Sequence, residues 1–296
     1  MGTAVKESIM IEGNEVTISN PDKLLYPEAG ITKVDYLQKL AFLSPYLLRY
    51  CGGRYLTTIR CPNGIHDKLF YQKNCPKPQP PYVHTATVED IHYVNLDSLS
   101  TLMWLGNLAC LEFHPSLNRI GSPFPAEWII DLDPTLEREP RIMEAAFAIG
   151  EILESLRITS VPKTSGATGV QIYIPLAEQK HYTFEKLRKL GHFIASFAVQ
   201  KYPKLFTIER LKKDRGDKIY IDYLQHWHGK TLSAPYTPRA REHATLSTPL
   251  LWKEVEQGCD PRDFNLHTIQ ERLQQKGDLI AQIPPQHLDA HLSRFH

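Results

Sequence analysis

The 296-residue sequence predicts an α+β fold, and three observations carry that prediction. Short apolar runs rich in Val, Ile and Tyr recur along the chain and are bounded by Gly, Pro, Asn or Asp, which marks strands and turns. Between them lie longer stretches in which apolar residues return every three or four positions, the spacing of one helix face. Neither an internal repeat nor a break in composition separates the two kinds of element. Strands and helices therefore belong to one domain, residues 1–296, with room for two internal lobes and a helical C-terminal tail from about residue 265. The 42% hydrophobic content supports a substantial core.

Each element has its own signal. Glu15-Val16-Thr17-Ile18 reads as a strand entering the turn-rich Ser19-Asn20-Pro21-Asp22-Lys23. Thr32 reads as an N-cap with Asp35 three residues on, and Val34, Leu37, Leu40, Ala41 and Leu47 follow at helical spacing, predicting a helix over 33–49 that Cys51-Gly52-Gly53 ends. Tyr55–Arg60 is strand-like, and the four prolines of 76–81 predict an extended surface connection. In Glu127–Pro134 an apolar strand delivers Asp131 and Asp133 one residue apart. Strand side chains alternate, so the two acids share a face, and Pro134 places them at the strand's open end. Ile142, Ala145, Ala146, Ile149, Ile152, Leu153 and Leu156 make an amphipathic helix. A strand, the turn Lys163–Gly169 and a return strand Val170–Ile174 follow. Leu187, Leu190, Ile194 and Phe197 predict another helix, and Lys218–Leu224 a strand bearing Asp222.

Charge and cysteine usage exclude some classes. Lys plus Arg (34) nearly equals Asp plus Glu (33), so the chain is no general nucleic-acid coat and any nucleic-acid site is a local patch. The five cysteines are scattered without a C-x-x-C and read as reduced thiols of a soluble cytoplasmic protein. Cys61, His66 and Cys75 are too irregularly spaced to make a persuasive zinc site. The His287–His291 cluster reads as a solvated helix. No apolar stretch reaches the length of a membrane span.

The chemistry starts from the acids. If Asp222 joins Asp131 and Asp133, like-charge pairs at about 4 Å cost roughly 4 kcal/mol each at an effective dielectric near 20. A divalent cation removes that cost, and oxygen ligands suit magnesium or manganese. A D-x-D on a strand is shared by glycosyltransferases, nucleases and polymerases, so it does not choose among them. The turn Thr164-Ser165-Gly166-Ala167-Thr168-Gly169 can direct backbone N–H groups and hydroxyls at phosphate, or it can be a plain hairpin turn.

Ordered blocks narrow the choice. ISNPDKLLYP, GITKVDYL, RCPNG then LFYQKNCP, WLGNLACLEFHP, EWIIDLDP, PKTSGATG, and IYIDYLQ then APYTPRAR run from about residue 18 to 252. Together they resemble the polymerase domain of bacterial DNA ligase D, within the archaeo-eukaryotic primase superfamily. The resemblance implies a primase-type polymerase fold of mixed and antiparallel sheets flanked by helices. It further implies a template-dependent nucleotidyl transferase that fills short gaps or extends ends at double-strand breaks with two Mn2+ or Mg2+ ions, preferring ribonucleotides.

Site roles follow from the same resemblance. Asp131, Asp133 and Asp222 would be the catalytic metal ligands. His114, Ser165, Thr168, Arg215 and Arg239 would surround the nucleoside triphosphate. Asn20, Lys23 and Lys33 would hold a downstream 5′-phosphate, and Phe70 and Tyr71 would stack on template bases. The implied partners are DNA ends or gapped duplex, nucleoside triphosphates, a Ku-type protein and a ligase. The chain holds no K-x-D-G adenylation motif, so sealing would fall to another chain or another part of the protein. Two positions depart from the family's S-G-S-K-G-L-H turn: Thr168 replaces a cation and Gln171 a histidine. They put nucleotide affinity and ribose preference in question. They also leave open a non-catalytic end-binding module, beside a primase-like polymerase outside end joining.

Overall fold

A computed structural model describes residues 6–294, in two units. The first takes the chain up to Ser116 with Thr231–Ser247 and Phe264–Glu271; the second takes Leu117–Lys230, Thr248–Asp263 and the chain from Arg272.

The first unit opens with an antiparallel hairpin of β1 (Lys6–Ile11) and β2 (Asn14–Ser19), then a small pair, β3 (Leu24–Tyr26) and β4 (Ile31–Thr32). Helix α1 (Lys33–Cys51) starts where its sequence implies. Asp35 N–H donates to the Thr32 hydroxyl at 3.3 Å, and the Thr32 N–H donates to the Asp35 carboxylate at 2.9 Å. Its Leu37, Leu40, Leu43 and Leu47 are buried. Strands β5 (Arg54–Arg60), β6 (Phe70–Gln72), β7 (Thr85–Val88) and β8 (Ile91–Val94) form a sheet in the order β6-β5-β8-β7. Helix α2 (Leu99–Asn107) packs on α1, and β9 (Cys110–Arg119) pairs with β5. Gly106 permits the helix contact: a Cβ there would fall 2.7 Å from side-chain carbons of Leu37 and Leu40.

The second unit is built on a sheet of β10 (Glu127–Pro134), β11 (Val161–Thr164), β12 (Val170–Pro175), β13 (Phe206–Thr207) and β14 (Ile219–Ile221), in the order β11-β12-β10-β14-β13. All neighbours are antiparallel except β13 and β14. Helix α3 (Ile142–Ser155) lays Ile149, Ile152 and Leu153 into the core against β10 and β12, each such side chain contributing about 1.5–3 kcal/mol on burial. Helices α4 (Phe184–Lys201) and α5 (Trp252–Glu256) complete the helical cover. The antiparallel and mixed sheets with flanking helices are the α+β architecture the sequence predicts.

Three local expectations change. Asp222 lies one residue past β14, which spans three residues and not the seven of the strand-like run. Pro134 is the last residue of the central strand and still has a partner, Ile219, because pairing with β12 has already ended at Leu132 and no N–H is needed on that side. Among the described residues, the tail beyond 265 holds two short helices, α6 (Ile269–Lys276) and α7 (Asp289–Leu292), separated by turns in which Pro284 and Pro285 cannot extend a helix.

Candidate active site

Strand β10 delivers Asp131 and Asp133 to one face, and pairing with β14 sets Asp222 beside Asp131, whose backbone carbonyl accepts the Asp222 N–H at 2.8 Å. Asp222 is held rigidly: its Oδ1 accepts from the Tyr220 hydroxyl at 3.1 Å and from the N–H groups of Leu224 and Gln225 at 3.1 and 3.0 Å. Asp133 is 41% exposed and meets the Arg215 guanidinium at 3.0 Å. Burial pushes the Asp131 carboxyl up to about 7, and Asp222 and then Asp133 push the same way, against a hydrogen bond from Gln171 and the charge of Lys163. The protein thus leaves this acid short of positive charge.

Hard oxygen donors with uncompensated negative charge fit a divalent cation. Among the described residues no three Asp, Glu, His or Cys side chains stand as a ready coordination cluster. The reason is visible in the partners, since one oxygen of Asp133 is turned to Arg215 and one of Asp222 to the chain's own donors. Cys61, His66 and Cys75 form no such cluster either: Cys61 and Cys75 are buried free thiols, and His66 contacts Glu28 at 2.5 Å.

Arg215 is itself buried, and three of its five N–H groups are engaged within the chain. Nε donates to the Glu209 carbonyl at 3.0 Å, Nη2 to the Arg210 carbonyl at 2.7 Å, and the guanidinium stacks 4.1 Å from the Tyr220 ring centre. Its loop is tied down by Arg141, which clamps buried Glu139 at 2.7 and 2.9 Å and reaches the Asp217 carbonyl at 2.6 Å. Sequence reasoning did not find this bidentate pair, and the Glu139-x-Arg141 spacing alone gives no signal for it.

The hairpin turn between β11 and β12 directs its donors inward. Ser165 Oγ accepts from Ala167 N–H at 3.1 Å and Gly169 N–H at 3.0 Å, so those two groups do not point outward at an anion. Gly169 lets the turn lie against the catalytic strand, since a Cβ there would sit 2.3 Å from the Leu132 carbonyl. Thr168 is partly exposed at the turn's tip.

In the first unit His114 and Arg239 share one anion. His114 Nε2 and Arg239 Nε both lie 2.8 Å from Oε2 of buried Glu112, and Ala240 N–H donates to Oε1 at 2.9 Å. Burial would raise the Glu112 carboxyl, but the hydrogen bond from His114 and the charge of Arg239 outweigh it and pull the group down to about 2. Glu112 was missed in the sequence, although an acid at two-residue spacing from a histidine in an apolar strand was the available signal.

Asn20, Lys23 and Lys33 are brought together around the start of α1. Asn20 occupies the left-handed region at φ +50°, Lys23 N–H donates to the Asn20 carbonyl at 3.2 Å, and Lys33 N–H donates to the Lys23 carbonyl at 2.8 Å. Lys33 Nζ is buried against the carbonyls of Ser19 at 2.6 Å and Asn107 at 3.1 Å; Lys23 Nζ reaches Pro62 O at 3.0 Å and Asn63 Oδ1 at 3.1 Å. Burial and then the charge of Lys23 bring Lys33 down to about 8. Both ammonium groups are hydrogen-bonded to neutral oxygens, with the exposed Asp67 carboxylate near Lys23 and bonded to Asn63 at 2.6 Å. Phe70 and Tyr71, on edge strand β6, are 44% and 77% exposed.

Residues 32–280 match the family described as LigD, primase-polymerase domain. The chain is 39% identical over 258 residues to the bifunctional non-homologous end joining protein LigD of Bacillus subtilis, covering 86% of this chain and 42% of that one. It is 31% identical over 284 residues to the multifunctional non-homologous end joining DNA repair protein LigD of Mycobacterium tuberculosis, covering 90% and 37%. The chain therefore spans less than half the length of these relatives. The solved polymerase domain of Mycobacterium tuberculosis ligase D, in complex with DNA, superposes with a TM-score of 0.82 at 30% identity, covering 91% of this chain and 99% of that one. The fold, the acidic strand and these matches together establish that the chain belongs to the LigD primase-polymerase domain family of metal-dependent nucleotidyltransferases.

Proposed function

We propose that the chain is a template-dependent polymerase that fills short gaps or extends ends at DNA double-strand breaks. Asp131, Asp133 and Asp222 would hold two Mn2+ or Mg2+ ions, which when bound would supply Lewis-acid activation of the primer hydroxyl and charge stabilisation for the leaving pyrophosphate. The single observation that carries this is geometric: β10 presents Asp131 and Asp133 on one face, and its pairing with β14 sets Asp222 beside Asp131.

The other residues take the roles the resemblance gives them. His114 and Arg239, fixed by Glu112, act on the nucleotide, and a ribonucleotide is the preferred substrate; Ser165, Thr168 and Arg215 serve its phosphates. Arg215 also steadies Asp133. The Lys23 and Lys33 ammonium groups, with Asn20, recognise a downstream 5′-phosphate, since two cations hydrogen-bonded to neutral oxygens favour a dianion. Phe70 and Tyr71 provide outward rings on which template bases stack. A Ku-type end-binding protein and a ligase are the partners this role needs. No described helix is long and apolar enough to cross a membrane.

The test is extension of a primer on a gapped duplex bearing a 5′-phosphate, with Mn2+ or Mg2+ and ribo- or deoxyribonucleotides in parallel. The parent protein should add one or a few templated nucleotides, and Asp131→Asn should lose on the order of 10³-fold in rate, the scale of removing an electrostatic catalyst. Absence of extension with either metal and either nucleotide class refutes the reading.

A further inference from the structure

Four residues form a single row across neighbouring strands of the second unit. Lys163 on β11 stands opposite Gln171 on β12, Gln171 stands opposite Asp131 on β10, and Asp131 is bonded through its backbone to Asp222. Lys163 is fully buried and Gln171 is 3% exposed. The Lys163 ammonium lies 2.5 Å from Oε1 of Gln171.

An ammonium only donates, so chemistry orients the amide: Oε1 faces Lys163 and the NH2 group faces Asp131, whose carboxylate accepts from it. We infer that Gln171, oriented by Lys163, is a positioning residue that holds the Asp131 carboxylate in place for the catalytic cation. The inference rests on the metal role proposed above for Asp131. It gives a different meaning to the replacement of the family's histidine, which in the sequence put nucleotide affinity in question. Here the side chain is enclosed in the sheet and engaged at both ends.

The amide also solves an electrostatic problem. A lysine placed directly on Asp131 would compete with the metal for its charge. An amide between them passes on the lysine's geometric constraint while adding no net charge to the site. Partners of this kind, one bond removed from a metal, typically change metal affinity by about 10–100-fold when lost.

The experiment uses the whole chain stripped with chelator and titrated with Mn2+, free ion being followed by electron paramagnetic resonance. In Gln171→Met the Mn2+ dissociation constant should rise about tenfold or more. The rate deficit of this variant should shrink as Mn2+ is raised, with the nucleotide KM at saturating Mn2+ unchanged. Unaltered Mn2+ affinity with a raised nucleotide KM would assign Gln171 to the nucleotide and overturn the inference, as would unaltered values of both.

If Gln171→Met unfolds because Lys163 is left buried without its partner, the double variant Lys163→Met/Gln171→Met removes both polar groups together. It must show the same loss, and parental Mn2+ affinity in the folded double variant overturns the inference. Asp131→Asn is titrated alongside. Retained affinity there defeats the metal reading itself, whereas loss there with affinity retained in Gln171→Met defeats only the role of Gln171.

Discussion

Glu112 and Asp131 are both acids on apolar strands, the first buried and the second half-buried, and they end on opposite sides of the ordinary carboxylate range. Glu112 falls to about 2 and Asp131 rises to about 7. Burial pushes both upward, so burial does not explain the difference; the neighbours do. Glu112 has His114, Arg239 and a backbone N–H as built-in counterparts. Asp131 has two more acids, and Lys163, the cation that acts on it, is kept behind an amide. A buried charge that the protein neutralises itself is an anchor. One that it leaves unbalanced is a binding site for something else.

Breaking the balanced acid should have the largest effect on the fold. Glu112→Gln leaves Arg239 and His114 with a neutral partner that also presents donors, and removing one member of a buried ion pair costs about 3–5 kcal/mol. Denaturant unfolding near neutral pH should show that loss, and the nucleotide KM should rise because two groups lose their common anchor. The sign is that of a depressed acid. Its stabilisation is present above the usual Glu value of 4.5 and disappears as pH falls through about 2, so parent and variant should converge in strong acid. A variant as stable as the parent at neutral pH would show that Glu112 is not an anchor.

Removing the unbalanced acid should do the reverse. Asp131→Asn keeps an acceptor for Gln171 and deletes the charge, so without metal it should be more stable than the parent by roughly 1–3 kcal/mol even though it is inactive. The raised acid binds its proton more readily folded than unfolded. Its penalty on stability therefore grows from about pH 4 and is complete above about 7, which is where the gain from Asn should be greatest. Mn2+ should stabilise the parent and leave the variant's unfolding midpoint unmoved, because only a ligand that binds the native state shifts it. A destabilised variant in chelator would mean that Asp131 is paid for by contacts other than those described.

These two acids also show what the sequence could reveal. Asp131 and Asp133 were legible because two-residue alternation is a property of any strand, and a strand's period needs no knowledge of its neighbours. The capping box of Thr32 and Asp35 was legible for the same reason: its partners lie three residues apart. Glu112 with Arg239 was not, since the partners are 127 residues apart and meet only after the chain has folded. Nor was the row through Lys163 and Gln171, which depends on the register of three strands. Asp222 was found but placed on a strand that stops short of it, because the donors that turn the chain there come from Leu224 and Gln225, after the apolar run. Of the lysine pocket, Lys23, an isolated lysine in a turn, was legible only through family resemblance, whereas Lys33 opposes the dipole at the start of α1 and so carries a weak local signal for an anion.

That pocket is the comparison with its sign reversed, and it yields the smallest effect. Lys33 is a buried cation whose oxygens are neutral, and burial together with Lys23 lowers it to about 8. For the fold this is a cost wherever the ammonium is charged, relieved as pH rises through about 8. For a bound phosphate it is the opposite, because the anion needs the charged form. Affinity for gapped duplex with a 5′-phosphate should therefore be flat from about pH 7, where the phosphate is doubly ionised, to about 8, and then fall roughly tenfold by about pH 9. Duplex lacking the 5′-phosphate should show none of this fall, and Lys33→Met should bind the phosphorylated duplex more weakly, with no inflection near 8. An inflection that survives in Lys33→Met would assign the titration to another group, and Lys33 would join Glu112 as an anchor of the fold.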